Sequence, residues 1–151
     1  MSHPFADPTL AEAQAALHDP RTPGLVETVT VTFDVFFTNV NAPMGLRAHS
    51  HKAFLEVTYQ TLGRHGYPSF ETTNRALEHR VRELTSRPFK DATNEDVIRR
   101  LFAHLDGFVA ESWEPWGGDY QLAGLRLGVV GVHDDIGHDN ATTWYAVTRG
   151  A

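Results

Sequence analysis

The stretch Val26-Glu27-Thr28-Val29-Thr30-Val31-Thr32-Phe33-Asp34-Val35-Phe36-Phe37 decides the fold class. Val29, Val31, Phe33, Val35 and Phe37 recur at every second place, and Thr28, Thr30, Thr32 and Asp34 fill the places between. A period of two in β-branched and aromatic residues predicts a strand with one face in a core and the other in water. Thr38 to Ala48 carries Asn39, Asn41, Pro43 and Gly45 and reads as a loop. His49 to Leu62 then predicts a second strand, with His49, His51, Ala53, Leu55, Val57 and Tyr59 on one side.

The period changes after the turn at Gly63 to Pro68. Phe70, Leu77, Val81 and Leu84 make one stripe of a helix over Phe70 to Leu84, closed by Arg87-Pro88 because the residue before proline avoids helical dihedrals. Thr93 opens a second helix as its cap, with Asp96 three residues on as the acidic partner of a capping box. Val97, Ile98, Leu101, Phe102, Leu105, Phe108 and Val109 form its apolar stripe. Ser112 to Tyr120, with Trp113, Pro115, Trp116, Gly117 and Gly118, reads as a loop with two bulky anchors. Leu122 to Val132 predicts a third strand, apolar on both faces and rich in glycine, and Ala141 to Arg149 a fourth. The order strand, strand, helix, helix, strand, strand predicts a two-layer α+β domain over 25–151: a four-stranded antiparallel sheet with two helices on one face. Residues 1–24, punctuated by Pro4, Pro8, Pro20 and Pro23, read as an N-terminal arm in which Thr9 to His18 forms a short helix capped by Asp7 or Thr9.

At 151 residues the chain fits one domain, which buries roughly two-thirds of its unfolded surface. It has no cysteine, so disulfides, cysteine-ligated zinc, iron–sulfur clusters and cysteine nucleophiles are excluded. Thirteen Lys and Arg against nineteen Asp and Glu leave a formal charge of −6, a balance that argues against nucleic acid as a partner. No stretch approaches the roughly 20 apolar residues of a membrane span, and residues 1–24 do not read as a secretory signal. The expectation is a soluble cytoplasmic protein with no membrane partner.

Two places concentrate chemistry. His49 and His51, two apart on a strand, point the same way, so both imidazoles can reach one metal ion or one substrate. Two histidines fall short of the three protein ligands usual for catalytic zinc. His133-Asp134-Asp135-Ile136-Gly137-His138-Asp139 places two imidazoles and three carboxylates in one connection. It can serve as a general acid–base pair, as a metal site, or simply as a solvated hairpin turn. Trp113 and Trp116 can stack on a planar ligand or seal a core or interface. His79 and His104 read as surface residues, Asp34 and Glu56 as sheet-face polar groups, and His65 as a turn residue.

The element order and several motifs in sequence resemble the 6-pyruvoyltetrahydropterin / 6-carboxytetrahydropterin synthase family, the tunnelling fold. Phe33-Asp34-Val35-Phe36-Phe37 stands where that family has Phe-x-Ala-Ala-His, and His49-Ser50-His51 stands for His-Gly-His. Gly66-Tyr67-Pro68-Ser69-Phe70 stands for Gly-x-x-x-Asp-Phe, and Ala92-Thr93-Asn94-Glu95 for Pro-Thr-x-Glu. Val132-His133-Asp134-Asp135 stands for Val-x-Glu-Thr. The resemblance implies a ββααββ unit whose sheets close into a barrel in a homo-oligomer. It also implies zinc or another divalent metal at His49 and His51, and a ligand held near Phe37, Asp134 and Asp135. The departures bear on chemistry: Phe37 takes the place of the third zinc histidine, Gly45 that of the acid–base cysteine, Thr85-Ser86 that of an Asp-His pair, and Asp134 that of the pterin-anchoring Glu. The expectation is a divergent lyase, cyclase or condensation enzyme in specialised biosynthesis. It would act on a small planar or heterocyclic metabolite by proton transfer through His49, His51, His133 and Asp134. The alternatives are a non-catalytic ligand-binding relative and a conventional pterin synthase.

Overall fold

A computed structural model describes residues 9, 11, 12, 15, 28–40, 48–61, 70–111, 120–131 and 141–150. In chain order the elements are β1 (Thr28–Val40), β2 (Ala48–Thr61), α1 (Phe70–Thr85), β3 (Phe89–Lys90), α2 (Asn94–Glu111), β4 (Tyr120–Val130) and β5 (Thr142–Thr148). The fold is mixed α+β: one curled sheet of five strands in the order β3-β1-β2-β4-β5, and two helices packed on one of its faces.

The alternation in β1 is realised as read. Phe33, Val35 and Phe37 are buried with Ala53, Leu55, Val57 and Tyr59 of β2, while Thr28, Thr30, Thr32 and Asp34 face away. Leu77 and Val81 of α1 and Val97, Ile98, Leu101, Leu105 and Val109 of α2 close the same core. A fully buried leucine or valine contributes roughly 1.5–3 kcal/mol. The exposed ion pairs along α1 (Arg82–Glu78, Arg80–Glu83 and His79–Glu83) contribute at most about 1 kcal/mol each. Burial, not surface charge, holds the layers together.

Three local results differ from the sequence reading. First, the sheet has five strands, not four, and one pairing is parallel. Phe89–Lys90 runs beside Asn39 and Val40, and Ala92 N–H donates to Val40 C=O at 3.0 Å. Two residues are too few for a periodicity to show. What holds them is the burial of Phe89 against Phe37 and a turn at Asp91 in the left-handed region (φ 51°). Arg100 clamps that turn by donating to Lys90 C=O (2.8 Å) and Asp91 C=O (3.2 Å).

Second, β1 does not stop at Phe37. It runs on through Thr38, Asn39 and Val40, opposite Ser50, His49 and Ala48. Third, β4 carries an irregularity that explains its two-faced hydrophobicity. Thr58 lies opposite Gly124 but Tyr59 opposite Leu122, so the strand is re-phased there. Leu122 and Leu125, three apart, are thereby both buried. On the opposite face the Trp144 indole lies on Gly128, where a Cβ would stand 2.7 Å from the ring, and the Arg126 guanidinium stacks on it at 4.5 Å.

The second helix opens on the predicted capping box. Thr93 Oγ1 accepts from Asp96 N–H (3.2 Å), and Asp96 Oδ2 accepts from Thr93 N–H (3.1 Å) and from the Thr93 hydroxyl (3.0 Å). In the arm, Ala11, Glu12 and Ala15 are helical, and Thr9 Oγ1 accepts from Glu12 N–H at 3.2 Å. No helix among the described residues is long and apolar enough to cross a membrane.

Candidate functional site

The site is built where β1, β2, β4 and β5 approach the N-terminus of α2. The register sets His51 opposite Phe37 and His49 opposite Asn39. Continuing the buried phase of β1 from Phe33 through Val35 and Phe37 brings Asn39 onto the core side, where it is 4% exposed. A buried primary amide must find partners for both ends. Asn39 Nδ2 donates to Ala92 C=O and to Asn94 Oδ1, each at 3.1 Å, and Asn39 Oδ1 lies 3.0 Å from His51 Nε2. Asn94, the first residue of α2, passes the chain on: its Nδ2 donates to Tyr145 Oη of β5 at 3.4 Å.

These groups open on a cleft of about 470 Å³ lined by Ala48, His49, Ser50 and His51 of β2, Asn94, Val129 and Val130 with Gly131 beyond them, and Thr143 and Tyr145 of β5. Burial, and secondarily the neighbouring His49, lower the His51 pKa from its ordinary 6.5, which favours the neutral imidazole. The Phe37 ring lies 5.1 Å from the His51 ring and stacks edge-on against Phe89, so it is a floor under His51, itself only 1% exposed. His49 Nε2 is shielded from solvent and has no hydrogen-bond partner among the described residues. Leaving a buried ring nitrogen unpaired costs roughly 1–3 kcal/mol.

A larger groove, about 550 Å³, lies between the helices and is lined by Ala76, His79, Arg80, Glu83, His104, Gly107 and Phe108. Its charged groups pair with one another along α1, and His79 and His104 are exposed, as the sequence suggests. Among the described residues it has no counterpart to the part-buried relay of the strand-end cleft.

His49 and His51 are thus brought together. His133, Asp134, Asp135 and His138 lie outside the described residues, as do Trp113, Trp116, His65 and Gly45. Glu56 is engaged by Arg126 at 2.9 Å on the face turned away from α1 and α2, which Asp34 shares. Thr85 and Ser86 are occupied in ending α1, where their hydroxyls donate to Val81 C=O (2.9 Å) and Glu83 C=O (2.7 Å).

For a metal, His51 has the arrangement common among ligating histidines, one ring nitrogen held by a neighbour and the other with no partner among the described residues. Among the described residues, however, no three His, Asp or Glu side chains group as a metal centre. Two imidazoles do not make up the donor set of a catalytic zinc.

Asn39, Asn94 and Tyr145 were not singled out from the sequence. Asn39 had a readable signal, a polar residue in the apolar phase of a strand, hidden by the loop-forming residues after it. Asn94 and Tyr145 had none, because their meeting depends on how α2 docks against β5. No protein-family model matches the chain, and no curated protein matches it.

Proposed function

We propose that the chain is a divergent tunnelling-fold enzyme that moves a proton on a small planar or heterocyclic metabolite, in a lyase, cyclase or condensation step. The observation that carries this reading is the part-buried His51–Asn39–Asn94–Tyr145 relay, anchored on the buried Asn39 and opening on the strand-end cleft. A neutral His51 takes the proton at Nδ1. The electron pair left on the substrate moves into an adjoining carbonyl, whose oxygen accepts a hydrogen bond from the Tyr145 hydroxyl. Asn39 Oδ1, 3.0 Å from Nε2, stabilises the imidazolium that forms, because an amide oxygen accepts from its Nε2–H. His49, which lines the cleft beside His51, binds the substrate's edge. His133 and Asp134 are assigned the return of the proton. Phe37 supports the His51 ring, and Asp135 belongs to the ligand's rim. A divalent ion, where bound, would use His49 and His51 with a further ligand from outside the described residues; no step above requires it.

The proposal includes a homo-oligomer whose sheets close into a barrel. Support comes from sheet edges at β3 and β5 that no described strand pairs, and from Phe36 (63% exposed) and Trp144 on the face turned away from α1 and α2.

A second reading, a binding protein without catalysis, is favoured by one observation: no carboxylate is among the described residues that line the cleft. A conventional pterin synthase is disfavoured because Thr85 and Ser86 are committed to the end of α1.

Incubation with pterins and purine-like compounds, followed by product analysis, separates these readings. Turnover by the wild type that falls by about 10²-fold or more in His51→Ala supports the enzyme. Undiminished turnover in both His49→Ala and His51→Ala overturns the assigned roles. Saturable binding with no turnover favours the binding protein.

A further inference from the structure

The relay has a direction, and one backbone atom sets it. Ala92 C=O can only accept, so the Asn39 atom 3.1 Å from it is the Nδ2 amide. That Nδ2 also meets Asn94 at 3.1 Å, so the Asn94 atom there is the acceptor Oδ1. The opposite ends follow. Asn39 Oδ1 faces His51 and can only accept, so the Nε2 at 3.0 Å must carry the hydrogen. Asn94 Nδ2 faces Tyr145 and can only donate, so the Tyr145 oxygen accepts there and its own hydrogen points elsewhere. The peptide that carries Ala92 C=O is itself fixed by its other end, the Thr93 N–H, which donates to Asp96 Oδ2 at 3.1 Å.

From this we infer that Asn39 and Asn94 are positioning residues that set the polarity of the cleft. Asn39 holds His51 as the Nε2–H tautomer, with Nδ1 as the lone-pair nitrogen, and Asn94 holds Tyr145 as a hydrogen-bond donor. The site therefore selects a small ligand that presents a donor to His51 and an acceptor to Tyr145. The other tautomer would set the Nε2 lone pair against the Asn39 Oδ1 lone pairs, which biases the ring at least about tenfold toward Nε2–H. This selectivity rests on the reading of His51 as proton acceptor; the tautomer itself does not.

The test is imidazole NMR on the full-length chain with ¹⁵N-labelled histidine, with no substrate added, at a pH where the ring is neutral. Two-bond proton–nitrogen correlations distinguish the tautomers, and the His51 signals are those absent from His51→Gln. The wild type is expected to show a single Nε2–H pattern, Asn39→Ala to shift toward the mixed pattern of a free imidazole, and Asn94→Ala to keep the wild-type pattern, because Ala92 alone orients Asn39. An Nδ1–H pattern or a mixture in the wild type overturns the inference without recourse to any variant. So does an Asn39→Ala protein whose His51 pattern is unchanged, or an Asn94→Ala protein whose pattern is mixed. If the wild type shows pure Nε2–H while His51→Ala turns over normally, the catalytic reading fails and the relay stands.

Discussion

Asn39 shows how one residue couples the core to the cleft. Its amide is buried, yet its acceptor end reaches the His51 imidazole, whose pKa burial lowers. Because burial, and then His49, lower the His51 pKa, the unfolded chain binds a proton there more readily than the folded one. Stability from this residue is complete above about pH 6.5 and is lost as pH falls through the lowered folded value. His51→Gln keeps a donor for Asn39 Oδ1 and removes the titration. The unfolding free energy of the wild type, measured by urea denaturation, is therefore expected to decline more steeply than that of His51→Gln between about pH 7 and pH 5. Parallel curves would contradict the assignment. The sequence made His49 and His51 legible because the period of a strand puts them on one side. It did not show the polar chain behind them, whose members come from three elements far apart in sequence.

At the scale of elements, the strongest sequence signals were those with a local cause. The capping box at Thr93 and Asp96 needs only four residues, and it forms as read. The Thr93 N–H, then the Thr93 hydroxyl, hold the Asp96 carboxyl below its usual range, so this contribution is present above that range and fades in acid. Thr93→Ala is expected to lower the unfolding free energy by about 1 kcal/mol, with Thr93→Ser close to wild type. The same cap places Asn94 at the mouth of the cleft, so Thr93→Ala should also disturb the amide signals of Tyr145. Denaturation and NMR spectra check both, and an unchanged stability would show that the cap contributes nothing. What escaped the sequence at this scale had a non-local cause. β3 is two residues held by the burial of Phe89 and the Arg100 clamp, and the re-phasing of β4 is visible only against β2.

At the scale of the molecule, alternation in β1 and β2 and the helical stripes were enough to give an α+β layer structure, because burial dominates its energetics. The fifth strand and the order of the sheet required the tertiary contacts themselves. Among the described residues, one face of the sheet is not covered by α1 or α2 and nothing pairs beyond its edge strands β3 and β5, and Phe36 and Trp144 are presented on that face. If sheets of several copies close together, light scattering at micromolar concentration should give a mass that is a multiple of the single chain; a monodisperse monomer would contradict the proposed assembly. The proposed binding site is narrower: the strand-end cleft, with a small heterocycle held between His51 and Tyr145. Its most direct test is backbone-amide NMR titration of the chain with pterins and purine-like compounds. The account requires saturable shifts centred on 48–51, 94, 129–131 and 143–145 with at least one compound, and their loss in a His51→Ala, Tyr145→Phe double variant. Shifts elsewhere, equal binding by that variant, or no saturable binding by any compound would contradict it.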